Sequence, residues 1–483
     1  MKPTDTPRIP WLIALIPLAV LITLQVLVIQ RFGSDAIDGA SQTVLLFAAA
    51  VAVAIAMIFY KVPWKSIDGA IGANIRTVGP AILILFLIGA ISGSWMMSGV
   101  VPTMIYYGMK ILTPSLFLFM ACIICALVSL ITGSSWTTVA TVGIALIGIG
   151  TAHGFPVGWT AGAIISGAYF GDKISPLSDT TVLASSVGEV PLFKHIRYML
   201  ITTVPSFTIA LIIFLVVSLN HIVTDSAQAV SFAEGLQNSF VISPWLLLVP
   251  VATGVLIALR LPAAVILFLS AFMAGIVMLF AQPDIVAHLG DGDRFRGLML
   301  TYYSSTSIDT GNEALSSLVQ TRGMKGMLST VFLIFCASAF GGALTGGGMM
   351  QSLTSALARG ISGRRSLVSS TVATGLFSNM ATGDQYLSIV LTGNIYKQLY
   401  KEKGFEGRLL SRSTEDSATV TSVLVPWNTC GMTQSTVLKV PTLDYLPYCF
   451  FNIISPLMSI TVAFIGYKIF RLGKETASEE GSR

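Results

Sequence analysis

The stretch GDKISPLSDTT, residues 171–181, sets Asp172, Lys173 and Asp179 among hydroxyl side chains, between the apolar runs 157–170 and 182–190. Burying an ionised carboxylate in a membrane costs several kcal/mol even on lenient insertion scales, so an acid in such a setting is functional by default. Asp172 and Asp179 are seven residues apart, two turns of a continuous helix, and on such a helix they share a face. Gly171 loosens the helix and Pro176 removes a backbone donor, which frees carbonyl oxygens to face a cavity. Carboxylates, hydroxyls and carbonyls are the ligands that hard cations take. The expected ligands in this half are therefore Asp172, Ser178, Asp179, Thr180 and Thr181, with Lys173 as the structural partner of a nearby carboxylate.

A second set lies further along. Asp384 follows Gly383 in TGDQYLS (382–388), and EDSATVTSVLVPWNTCG (415–431) opens on Glu415 and Asp416. Pro426 plays the part of Pro176, and Asn428 and Thr429 supply neutral oxygens. The expected ligands here are Asp384, Asp416, Ser417, Asn428 and Thr429, while Glu415 reads equally well as a helix-start acid facing a loop. Ser134, Ser135, Trp136, Thr137, Gln385, Tyr386 and Trp427 flank the polar segments and would line a larger pocket for a solute carrying a carboxylate. In SIDTGNEALSS (307–317), Asp309 and Glu313 fall one helical turn apart, as an ordinary surface helix would also place them. GGALTGGG (341–348) lacks the Lys and Ser or Thr that follow a phosphate cradle and reads as close helix packing.

The elements that position these groups must form in a very apolar chain. Of 483 residues, 54% are hydrophobic and 11% charged, with a mean hydropathy of +0.79, against roughly 25% charged residues in a soluble protein. Only a helix satisfies its own backbone in hydrocarbon, and it needs about 20 apolar residues to cross. Segments 10–30, 43–60, 79–97, 115–132, 199–219, 261–280, 327–345 and 447–470 qualify, and shorter candidates raise the total to roughly ten to twelve. The intervals leave no room for a soluble domain, and the first apolar segment is too long for a signal-peptide core, so it reads as a retained helix. Cys122, Cys125, Cys336, Cys430 and Cys449 lie in or beside apolar runs as small hydrophobes, and the four histidines form no cluster. The net charge of +5 fits basic cytoplasmic loops, and no contiguous basic surface points to nucleic acid. No nucleotide-binding motif marks a pump, and no His stands near the hydroxyls to activate one, so the chain reads as neither an enzyme nor a holder of a tightly bound cofactor.

Three short matches recur in one order: SGSWMMSGVV (92–101) with GGALTGGGMM (341–350), ITGSSWTTV (131–139) with MATGDQYLS (380–388), and SPLSDTTV (175–182) with STEDSATV (413–420). Cytoplasmic loops are enriched in Lys and Arg. Lys61, Lys65 and Arg76, Lys194 and Arg197, Arg359, Arg364 and Arg365, and Lys397 to Arg412 therefore belong inside with both termini, and the counterpart loops are poor in positive charge. Arg294, Arg296, Arg322 and Lys325 fall on the outer side, against this scheme. Opposed halves with interrupted helices are the recurrent architecture of secondary transporters. The expected fold is an all-α polytopic membrane protein, an inverted-repeat secondary transporter with two re-entrant hairpins, tipped at 132–138 and 382–388, and two broken transmembrane helices. Since 115–132 is long enough to span outright, a simple two-helix crossing is the alternative. The expected division is N-terminal transmembrane helices at 1–60, a first repeat at 61–198, connecting helices and an outer loop at 199–297, a second repeat at 298–446, and a C-terminal helix with a cytoplasmic tail at 447–483.

GAYFGDKISPLSDTT, TGDQYLSIVL and SRSTEDSATVTSVLVPWNTCG resemble the NhaC family of sodium/proton antiporters, within the ion transporter superfamily, and the likeness runs from about residue 60 to about 470. The resemblance implies a bacterial inner-membrane carrier with its cation site at the broken helices. It also implies that an organic acid or amino acid is an alternative cargo, as in other members. The leading expectation is export of Na+ in exchange for H+, with Na+ as the transported or coupling ion. The expected partners are Na+, H+ and the lipid bilayer, with an organic anion or amino acid under the second reading and a homodimer left open.

Overall fold

The computed structural model describes residues 9–32, 36, 39–221, 226–358 and 361–472. Arg359 and both chain ends, on which the expected cytoplasmic termini fall, lie outside the described residues. Within them the chain is helical throughout, apart from isolated bridges at Thr306–Thr321 and Phe405–Arg471. Eight helices are long and apolar enough to cross a membrane, or ten if each of two bent pairs makes one span. That is at or below the low end of the expected ten to twelve. The helix Arg364–Thr382 stays outside the set because Ser, Thr and Asn crowd it, and Gln385–Glu402 because Lys and Gln do.

Helix breaks fall where glycine, proline and capping side chains act together. Phe117–Thr132 stops at Gly133, which is left-handed at φ 66°, and Ser134 caps the next turn by accepting from Thr137 N. The chain then runs through a π-turn, Val139–Gly143, into Ile144–Ala152. Arg364–Thr382 stops in the same way at Gly383, φ 65°, and Asp384 caps Gln385–Glu402 by accepting from Leu387 N. Thr132 Oγ1 donates to Ser129 O and Ser134 O at 3.3 and 3.2 Å, and Thr382 Oγ1 to Ser378 O and Asp384 O at 2.8 and 3.1 Å. The two turns thus share the bond from the threonine hydroxyl to the carbonyl two residues on.

Each hairpin is fastened to a broken helix. Ser129 Oγ donates to Ala168 O at 2.6 Å, and Asn379 Nδ2 to Ala418 O at 2.7 Å. The first pair packs backbone on backbone, since a Cβ on Gly167 would lie 2.1 Å from Cys122 O and one on Gly171 2.3 Å from Ala126 O. Val157–Ile174 ends at Ser175, and Asp179–Val187 restarts with Ser178 accepting from Thr181 N. The break lies between Asp172 and Asp179, so these acids do not share one continuous helix. In the second half, Gly407–Thr414 passes through a π-turn at Glu415–Thr419 and a 3-10 turn at Ser422–Leu424, and Thr429–Leu438 restarts under an Asn428 cap. Pro176 and Pro426 each precede their cap by two residues. The stretch built like 175–182 is therefore 425–432, and the sequence match to 413–420 is corrected, because that segment is continuous helix.

Gly133 offers a direct check. Alanine there must hold a left-handed backbone and bring its Cβ within 2.7 Å of Leu177 Cβ and carbonyl carbon. Gly133→Ala is expected to lower stability by about 2 kcal/mol in a thermal melt. Gly69→Ala, with nothing within 4 Å of the added Cβ, should leave the melt unchanged or raised.

On the polar rim, Glu189 holds the end of the first broken helix to Lys397 at 2.6 Å and Lys401 at 2.7 Å. Those hydrogen bonds pull the Glu189 carboxyl down to about 2. A depressed carboxyl contributes while ionised, so this latch holds at neutral pH and is lost only as pH falls toward that value.

Candidate cation site

The two broken helices and the two hairpin turns converge on a group of buried oxygens. Asp172, in the last turn before the first break, accepts from both the backbone N–H and the hydroxyl of Ser135, at 3.1 and 2.8 Å on one oxygen. The turn of the first hairpin is thereby seated on this carboxylate. Thr181 Oγ1 donates back across the break to the carbonyls of Asp172 and Lys173, at 3.4 and 3.0 Å. Ser178 and Thr180 share a hydroxyl contact of 3.0 Å, and Thr180 donates to Glu415 Oε1 at 3.3 Å. That last bond joins the first broken helix to the second.

Glu415 is fully buried, and its other oxygen has no hydrogen-bond partner among the described residues. It lies within electrostatic reach of Lys173, Asp172 and Asp416. Asp179, the first residue of the restarted helix, is exposed, yet it acts electrostatically on Asp172 and on Tyr386. Tyr386 also senses Asp172 and Asp384, so this ring stands where the two acidic sets approach each other.

In the second half, Asp384 accepts from Leu387 N at 2.9 Å and, on its other oxygen, from Thr429 Oγ1 at 3.4 Å. Asn428 donates to Asn379 O at 3.2 Å and accepts from Cys430 N at 3.0 Å. Gln385 donates to Thr419 O at 3.1 Å and accepts from the Cys430 thiol at 3.0 Å. Trp427 donates to Met380 O at 2.8 Å, and Ser417 turns inward on its own helix toward Ser413 O at 2.8 Å. Trp136 and Thr137 occupy the first turn after the Ser134 cap.

Asp416 stands apart from the other acids. One oxygen is ion-paired with Lys173 and also accepts from Thr202 at 3.0 Å and Ser455 at 3.2 Å. Its second oxygen faces Arg412 at 3.8 Å, and that guanidinium lies 4.6 Å from the Tyr198 ring centroid. Both cations and the acid are fully buried. The oxygens of Asp172, Thr180, Glu415 and Asp179 lie outside this ion-paired cluster, as do those of Asp384 and Thr429, while Asp416 Oδ2 has no hydrogen-bond partner among the described residues. Among the described residues no three Asp, Glu, His or Cys side chains group as for a resident metal. The arrangement offers single carboxylates beside hydroxyls and break carbonyls, oxygen groups of the kind that hard cations take.

Arg412, read from the sequence as a basic-loop cation, is instead buried in the helix Gly407–Thr414, and Thr202 and Ser455 join it without any role expected from the sequence. The spacing of Arg412 to Asp416, one helical turn, was a visible signal. Thr202 and Ser455 reach the site from remote helices and left none.

A profile of the Na+/H+ antiporter family matches residues 167–467. The Na(+)/H(+) antiporter NhaC of Bacillus subtilis (strain 168) is 37% identical over 424 residues, covering 87% of this chain and 91% of that protein. The malate-2H(+)/Na(+)-lactate antiporter of the same organism is 35% identical over 421 residues, covering 86% and 88%. The arginine/ornithine antiporter ArcD of Halobacterium salinarum is 34% identical over 474 residues, covering 97% and 95%. The family profile begins within the first broken helix and runs through the second hairpin and both breaks, the segments that carry the oxygen group, and the chain belongs to the Na+/H+ antiporter family.

Proposed function

We propose that the protein is a secondary active transporter that exports Na+ in exchange for H+ by alternating access. The observation that carries this reading is the Thr180–Glu415 bond beside Asp172, which brings carboxylates from both broken helices together inside an apolar bundle. A carboxylate there can be neutralised by a proton or by a sodium ion, and the two compete for the same oxygens. A site that is empty and charged is penalised in the hydrocarbon, so only the protonated and sodium-loaded forms reorient. That penalty couples the fluxes.

On this reading Asp172, Asp179 and Asp384, with Ser178, Thr180, Thr181, Asn428 and Thr429, serve the cation, and Glu415 joins them. Asp416 sets the local field through Lys173 instead of holding the ion. Residues 61–198 and 298–446 form inverted repeats whose hairpins are re-entrant, and both termini are cytoplasmic. The like-bonded turns at Gly133 and Gly383 and the exposed basic residues Lys401 and Lys403 with their neighbour Lys397 support this. A relative named for malate and lactate and another named for arginine and ornithine favour a second reading, Na+- or H+-coupled transport of an organic acid or amino acid.

Everted membrane vesicles carrying the protein test the first reading. Added Na+ should collapse an imposed pH gradient, and vesicles without the protein should hold it. No collapse with Na+, Li+ or K+ would sink the proposal, and labelled organic substrate accumulating under a sodium gradient would favour the second reading.

A further inference from the structure

The four cations that argued against the positive-inside scheme are not alike. Arg296 pairs with Asp291 at 2.8 Å, and Lys325 lies 5.0 Å from the Tyr303 ring centroid. Arg322 makes no ion pair among the described residues and lines a cavity of about 570 Å³, as does Lys439. The cavity is bounded by the N-terminal helices, the scaffold helix Trp64–Met97, the loop around Arg322 and the helix Thr429–Leu438, and its wall includes Pro426 at the second break. Its size lies in the range of small-molecule sites, roughly 300–1,000 Å³.

The Lys439 ammonium and the backbone that carries the exposed Arg322 are held in place before any ligand arrives. Arg322 follows the Thr306–Thr321 bridge, where the two hydroxyls meet at 2.7 Å. On its other side Gly323, at φ 55°, packs against the backbone of Tyr303 and Ser304, and an added Cβ on Gly326 would lie 2.2 Å from Arg322 Cβ. Lys439 is a left-handed residue, φ 56°, capping the helix Thr429–Leu438. Its ammonium donates to the carbonyls of Gln320, Leu318 and Ser317, the last two at 3.0 and 3.5 Å. Carbonyls satisfy its donors but leave its charge uncompensated. Desolvation and the neighbouring Arg322 charge lower Lys439 to about 8. Asp444 is the one acid in the lining, so the cavity holds two positive charges against one negative. The Thr330 and Thr436 hydroxyls, 2.8 Å apart, add neutral polar groups to the lining.

We propose that this cavity is a binding site for a small organic carboxylate, held by the Arg322 guanidinium in the field of Lys439. A planar fork of donors matches a carboxylate bidentately, which an ammonium or a hydroxyl cannot do. The site is separate from the oxygens of the cation site, and it stands whether or not sodium is exported. Its placement on the outer face alone rests on the proposed topology.

Binding is measured on the purified full chain by thermal shift at constant ionic strength and without a sodium gradient, titrating lactate, malate and citrate against chloride and phosphate. At least one carboxylate is expected to bind saturably, with chloride failing to compete. Arg322→Gln should weaken that binding by about tenfold or more, while sodium-driven proton movement stays at the unsubstituted level. Asp444→Asn should tighten it, a gain that misfolding cannot mimic, and affinity should fall as pH rises through about 8, where Lys439 loses its proton. No saturable carboxylate binding, equal competition by chloride or phosphate, or unchanged affinity in Arg322→Gln would overturn the proposal. Loss of sodium-dependent proton movement with carboxylate binding intact would count against the antiport reading and not against this one.

Discussion

Asp172→Asn is expected to cut the initial rate of sodium-driven proton movement by about 100-fold in everted vesicles, with protein levels in the membrane unchanged. Asparagine keeps the shape and can still accept from Ser135 N–H and Oγ, which now meet Asp172 at 3.1 and 2.8 Å. What it loses is the charge that neutralises a sodium ion in the apolar bundle. Leaving one charge unneutralised at membrane depth costs about 3 kcal/mol on insertion scales, and 1.4 kcal/mol is a factor of ten. Asp179→Asn provides the contrast. Asp179 is exposed at the start of its helix, so water already shares in solvating the ion, and the loss there should be nearer tenfold. Equal losses at the two positions would mean that Asp172 is not the buried ligand.

The capping chemistry of these helices was legible along the chain. A Gly followed by Ser or Asp, or a Pro two residues before Ser or Asn, ends one helix and starts the next by local bonding alone. Pro176 with Ser178 and Pro426 with Asn428 could be read without knowing any long-range contact. The misplaced match of 175–182 to 413–420 arose from a shared hydroxyl pattern, and hydroxyls are common wherever membrane helices meet. The feature that recurs physically is a backbone break with its cap, and Ser and Asn perform that role through different side chains. Burial was the harder quantity. Glu415 could be a loop acid or a core acid on local sequence, and what decides is that Thr180 from the other broken helix reaches it. The state of Asp416 depends on Lys173, Arg412, Thr202 and Ser455, drawn from four separate helices. Hydropathy says little about a helix such as Arg364–Thr382, whose polar residues face partners within the bundle.

Asp416→Asn should be the most destabilising single substitution at this site, with Lys173→Met the milder change. The Lys173 ammonium is fully buried, ion-paired with Asp416, donates to Ser455 at 2.9 Å and sits 5.6 Å from the Phe451 ring centroid. Methionine fills nearly the same volume, so packing is largely kept, while Asp416 is left with Arg412 at 3.8 Å as its remaining cation. Breaking a buried pair by removing one partner costs about 3–5 kcal/mol when the charge left behind has no other partner, a cost that Arg412 reduces for Lys173→Met and that no other ion pair among the described residues reduces for Asp416→Asn. Asp416→Asn strands both Lys173 and Arg412, and adding Lys173→Met to it should recover part of that loss, since one of the two stranded cations is then removed and the two effects are strongly non-additive. Chemical or thermal unfolding of the purified single and double variants in detergent reads the difference. If Asp416 were instead a sodium ligand merely close to Lys173, the double variant would fare no better than the sum of the singles. Lys173→Met alone would then raise the apparent sodium affinity by freeing the carboxylate. Recovery in the double variant, with sodium affinity unimproved in the single, assigns Asp416 to the field around the site and leaves the ion to Asp172, Glu415 and the hydroxyls between them.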